Sequence, residues 1–129
     1  MDQFSVVAGS GSRRSAQAGA IRFAHRWTSE GVTVEADFTG AHLLHLAVAG
    51  CVLNDVYREA DGLGIRIDGV RVRASGGFDS ATWASTGIVY GVEVDSPAPV
   101  DELARLLARV DEVAEIPRAI GAGATVRRA

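Results

Sequence analysis

The chain has 129 residues and a mass of 13.5 kDa, is 47% hydrophobic and 22% charged, and carries a formal net charge of −3 with a pI near 5.5. That length fits a single domain over residues 1–129, and the composition supplies enough apolar surface to form a core, which excludes a disordered chain. Every basic residue is arginine, and the negative balance argues against a surface that tracks nucleic-acid phosphates.

In chain order, "FSVVA" reads as a first strand beside a hairpin. "AIRFAHRW" alternates Ile21, Phe23, His25 and Trp27 on one side, and "VTVEADF" does the same with Val32, Val34, Ala36 and Phe38. "TSEG" between them supplies turn residues, with Gly31 suited to a positive φ. From Ala41 to about Ala60 the residues are strong helix formers without proline, and Gly62 and Gly64 are stop signals. The first half of this helix is apolar nearly all round, which predicts burial on most sides, within the domain or against a partner chain.

"IRIDGVRVRAS" changes its apolar phase between Ile67 and Val70, so Asp68-Gly69 predicts a bulge or tight bend. "TGIVYGVEV" places Ile88, Tyr90, Val92 and Val94 on one face. "PVDELARLLARVDEVAEI" has Leu103, Leu106, Leu107, Val110 and Val113 at helical spacing, with Pro117 as the breaker, and "TVRR" is expected as an edge strand. The order of strands, buried helix, strands and amphipathic helix predicts an α+β domain with helices on one antiparallel sheet.

A single cysteine makes no internal disulfide, so a reducing compartment is expected. "MDQFSVVAGSGSRR" lacks a basic leader followed by an apolar core, and the apolar run near Cys51 is too short and interrupted to span a bilayer. The expectation is a cytoplasmic protein with no membrane partner and no nucleic-acid partner.

His42, His45 and Cys51 are donor side chains within ten residues. At about 100° per residue, His45 lies roughly 60° from His42, and Cys51 lies roughly 180° and 120° from the two histidines. One straight helix does not converge them, so no metal site is expected there. The same geometry separates Cys51 from a histidine base on its own helix, leaving the histidines as packed side chains.

Cys51 has two readings: a small buried hydrophobe, or a nucleophile. Its helical neighbours Ala47, Val48 and Asp55 favour thiol over thiolate, so reactivity needs a cation, for which Arg13 and Arg14 in "AGSGSRRSAQAG" are the candidates. That loop has neither the lysine of a phosphate-binding loop nor a dinucleotide fingerprint, so no cofactor is expected.

"HLLHLAVAGCVLNDVYREADGLGIRIDGVRVRASG", followed by "STGIVYGVEV" and "PVDELARLLARVDEVAEIPRAI", resembles the OsmC/Ohr superfamily of osmotically inducible and organic-hydroperoxide-resistance proteins over roughly residues 40–126. The resemblance implies an intertwined homodimer with its long helices at the centre and its active sites at the subunit boundary. In peroxidase members the helix cysteine attacks a hydroperoxide, becomes a sulfenic acid and is resolved by a second cysteine preceding a proline. Cys51 aligns with the attacking position, and Arg13 or Arg14 with a loop arginine beside it.

Two helpers differ. Ile116 stands where the resolving cysteine precedes Pro117, and Ala41 where organic-hydroperoxide members carry a glutamate. The resemblance therefore implies a stress-response protein with weak or lost peroxidase activity, a one-cysteine enzyme served by an external thiol reductant if active. The alternative is a non-catalytic dimer binding a small apolar or electrophilic ligand at the former active site. A third class, an interaction dimer, has only the basic stripe Arg66, Arg71 and Arg73 in its favour.

Overall fold

The strands are β1 (Val6–Gly11), β2 (Ile21–Phe23), β3 (Val32–Glu35), β4 (Gly69–Phe78) and β5 (Ser85–Asp95), and the helices are α1 (Gly40–Leu63), α2 (Val100–Val113) and α3 (Glu115–Ala122). They come from a computed structural model that describes residues 3–129. All neighbouring strands pair antiparallel, in the order β2-β3-β1-β4-β5.

Alternation sends Val6, Ala8 and Ser10 of β1, Val32 and Val34 of β3, and Val70, Val72 and Ala74 of β4 to one buried face. Helix α1 lies across β1 and β4 on that face. It contributes Val48, Ala49, Val52, Leu53 and Val56, each at most 2% exposed, while α2 adds Leu106 and Val110. A buried hydroxyl pair ties helix to sheet: Ser10 Oγ donates to the Val70 carbonyl at 3.4 Å, leaving the Tyr57 hydroxyl to donate to Ser10 Oγ at 2.8 Å.

Helix α1 starts and stops where its sequence signals predict. The Thr39 hydroxyl caps it by accepting from the His42 amide at 3.1 Å. Gly64 at φ 69° ends it, with the Ile65 amide donating back to the Ala60 carbonyl at 2.9 Å. Gly62 lies inside the last turn.

Several expectations are corrected. The hairpin of β2 and β3 pairs Phe23 with Val32, so residues 24–31 form the connection, and His25 and Trp27 belong to it rather than to a strand. They turn back onto the helix instead, where the His25 ring meets Tyr57 edge-on at 5.5 Å. The phase change at Asp68-Gly69 marks the beginning of β4, whose irregularity lies between Gly76 and Phe78. The C-terminal helix breaks at Ala114, three residues before Pro117, because Ala114 is extended at ψ 111°. Pro117 sits in the first turn of α3, where a missing N–H costs no intrahelical bond. "TVRR" forms no strand. The apolar surround of α1 is covered on the sheet side, while Leu43 and Leu63 remain 38% and 57% exposed.

Leu53 is 1% exposed in this core. Leu53→Ala is expected to lower the unfolding free energy by about 2–5 kcal/mol, read as a lower urea midpoint with an unchanged denaturant slope.

Candidate functional site

The packing of α1 on the sheet turns Cys51 inward, to 7% exposure. The break at Ala114 then lets α3 start against it. Glu115 Oε1 lies 3.6 Å from Cys51 Sγ, and Asp55 Oδ2, one turn along α1, lies at 4.0 Å. The Ile116 backbone, at the start of α3, acts on the sulfur in favour of the thiolate. Arg58 bridges the two carboxylates: Nη2 is 3.2 Å from Asp55 Oδ1 and Nη1 3.9 Å from Glu115 Oε2, with Nε on Glu59 at 3.2 Å.

These contacts pull the thiol in opposite directions. Burial pushes its pKa up from the ordinary 9.0, the Ile116 amide opposes this, and the charges of Asp55 and Glu115 and the Glu115 hydrogen bond add to the rise. The resting group is the thiol. Burial also raises the Asp55 carboxyl above 3.8; Arg58 works against that rise, and Glu115 and Glu59 work with it. Tyr90, across from Cys51 on β5, donates its hydroxyl to Asp111, and burial followed by that partner pushes it up to about 12.

One turn of α1 before Cys51 opens a cavity of about 370 Å³, lined by Val48, Ile88, Tyr90, Pro117 and Ile120 among others and not by Cys51 itself. Its wall is mainly apolar, and it lies between the turn of α1 preceding Cys51, β5 and α3. A small organic molecule fits its size and polarity.

The sulfur and the two carboxylates lie within 4.8 Å of one another and form the group of three donors, among the described residues, able to hold a metal ion. The histidines considered from sequence are placed elsewhere. His42 Nδ1 meets the Thr39 hydroxyl at 2.6 Å. His45 is fully buried, donating from Nδ1 to the Ala41 carbonyl at 2.7 Å and stacking on Phe4. His25 spends its nitrogens on Thr28 and Asn54 at 2.8 and 3.0 Å.

The loop arginines are not brought to Cys51 within one chain. Arg13 holds Asp95 with Nε and Nη2 at 3.0 and 2.9 Å, and Glu93 with Nη1 at 2.9 Å. Val92 and Val94 face the core, so Glu93 and Asp95 alternate onto the opposite face of the sheet, and the sheet separates Arg13 from the thiol. Arg14 bonds the Gly11 carbonyl at 3.1 Å and borders a polar groove with Arg22, Glu30 and Thr33. Of the basic stripe, Arg71 pairs with Glu93 at 3.6 Å and Arg66 with Asp68 at 2.9 Å.

The cation near Cys51 is Arg58, which sequence reasoning missed although seven residues put it on the cysteine's own helical face. Glu115 was missed because the helix was expected to run on to Pro117. An acid and a proline in a helix's first turn were the available signal.

A family model described as OsmC-like protein matches residues 20–128. The chain belongs to the OsmC-like family. The crystal structure of an OsmC-like hydroperoxide resistance protein from Jannaschia sp. CCS1 is similar with a TM-score of 0.53 and 13% identity, over 98% of this chain and 93% of that chain. At that identity the likeness is one of fold. A comparison with curated proteins found no match. Among the described residues no helix is long and apolar enough to cross a membrane.

Asp55→Asn tests the electrostatics of the site. Well below pH 3.8 the Asp55 carboxyl is protonated both folded and unfolded, so the two proteins are expected to be close in stability. As pH rises through that value and then through the higher folded one, wild type bears the burial of the charge and D55N does not. The variant's relative stability is therefore expected to increase over that window and level off above it, measured by urea unfolding from pH 3 to pH 8.

Proposed function

We propose that this OsmC-like protein is a one-cysteine hydroperoxide reductase of low turnover, with Cys51 as its nucleophile. The observation that carries the reading is the start of α3 at the sulfur. Glu115 Oε1 lies 3.6 Å from Sγ, the Ile116 backbone favours the thiolate, and Pro117 and Ile120 wall an apolar cavity together with Val48, one turn before Cys51. Ile116 is the position where the resemblance places a resolving cysteine, and its nearness to Cys51 supports that alignment.

In the first step the Cys51 thiol gives up its proton and the sulfur attacks the terminal oxygen of R–O–O–H. The S–O bond forms, the O–O bond breaks, and the products are the Cys51 sulfenic acid and R–OH. Ile116 has no sulfur to complete an intrachain disulfide. An external thiol therefore condenses with the sulfenic acid to a mixed disulfide and water, and a second thiol releases the first and restores Cys51. Slow turnover follows from a thiol held in its protonated form by burial and two carboxylates.

An assay of organic hydroperoxide consumption with excess small thiol is expected to show wild type above Cys51→Ser, and one equivalent of hydroperoxide without thiol to add one oxygen atom to the intact mass. Equal consumption by the two proteins removes the catalytic reading. It leaves the second one, favoured by the mainly apolar cavity: a dimer that binds a small apolar or electrophilic ligand without turnover.

The functional unit we propose is a homodimer, supported by exposed apolar side chains on the helix side of the sheet, Phe23 at 53% and Leu43 at 38%. Light scattering at micromolar concentration is expected to give twice the mass of the 13.5 kDa chain.

A further inference from the structure

Reduction of a hydroperoxide moves a proton twice: the thiol must lose one for sulfur to attack, and the departing alkoxide must gain one. The polar groups facing Sγ come from three elements: Asp55 and Arg58 of α1, Glu115 and the Ile116 amide of α3, and Tyr90 of β5. Tyr90 is a neutral phenol that gives its proton to Asp111, so its oxygen is a poor base for the thiol proton. Asp55 is 3% exposed at its side chain, is held by Arg58 and stands farther from the sulfur. Glu115 has Oε1 at 3.6 Å from Sγ while its side chain is 64% exposed, so it touches both the thiol and solvent. It stands two residues before Pro117, which lines the cavity.

We propose that Glu115 is the proton carrier of this site: its carboxylate takes the Cys51 thiol proton as sulfur attacks, and returns that proton to the alkoxide as the O–O bond breaks. The step balances, with thiol and R–O–O–H giving sulfenic acid and R–OH and Glu115 ending as the carboxylate it began as. Arg58, touching both carboxylates and not the sulfur, is a positioning residue that holds Glu115 over the thiol. This assignment rests on the hydroperoxide-reductase reading above.

The test compares Glu115→Gln with wild type toward two electrophiles in single-turnover experiments on the whole chain. Iodoacetamide reacts slowly enough for the thiol to reach protonation equilibrium with solvent, and its iodide leaves without a proton, so its rate follows the thiolate fraction alone. Removal of a carboxylate that raises the thiol pKa is therefore expected to speed alkylation of Cys51. Oxidation by cumene hydroperoxide, followed as gain of one oxygen atom, is expected to slow by roughly 100-fold in the same variant, within the usual range for lost acid–base catalysis. Opposite signs for the two reactions support the proton carrier. If E115Q oxidises as fast as wild type or faster, Glu115 acts only through its charge and the proposal is overturned while the reductase reading stands. If wild type itself gains no oxygen although iodoacetamide alkylates it, the reductase reading fails and takes this assignment with it. The exposed position of Glu115 predicts that E115Q keeps the wild-type melting temperature, which is checked alongside.

Discussion

The seating of α1 on the β1–β4 surface is the contact on which the remaining geometry depends. Val48, Val52, Leu53 and Val56 meet Val6, Val70 and Val72 with almost no residual exposure. Buried β-branched side chains have few rotamers to choose among, so this layer fixes the rotation of the helix as well as its position. The hydroxyl pair of Ser10 and Tyr57 adds direction, since a buried hydroxyl without its partner is costly and a rotated helix would separate the two. Cys51 faces the interior because its neighbours Val48 and Val52 do.

The second consequence of that seating is chemical. A thiol buried beside an arginine alone would be acidic, and one buried among aliphatic groups alone would be inert. Cys51 has a mixed surround, in which two carboxylates disfavour the thiolate and an amide of α3 favours it. Arg58 moderates the carboxylates without touching the sulfur, and the ion pairs continue outward through Glu59 to Arg109 at 3.1 Å. Most of that outer network is solvent-exposed and contributes little to stability. Its effect is to orient the groups at the thiol.

The arginine-rich loop illustrates how the same residue type serves a different purpose. Arg13 clamps Asp95 and Glu93 across the outer face of the sheet, and its hydrogen bond to Asp95 holds that carboxyl below the usual range. Gly9 lets the loop fold back this closely, since a Cβ there would stand 2.3 Å from the Arg13 carbonyl oxygen. Within one chain the loop braces the sheet.

The sequence by itself determined the α+β order, the ends of α1 and the inward faces of β3 and β5, because alternation, capping and helical spacing are local properties written in neighbouring residues. It also singled out Cys51, and the family resemblance of its surrounding stretch agrees with the OsmC-like family match. Only the tertiary structure decided what surrounds that cysteine. Glu115 is 64 residues away in the chain, and it arrives through an extended Ala114 that no periodicity announces. The sheet likewise carries Arg13 to the face opposite the helix, a separation invisible from the composition of its loop. Periodicity says which side of an element is buried; which elements then meet depends on long-range packing, and that packing placed carboxylates and an amide around the sulfur.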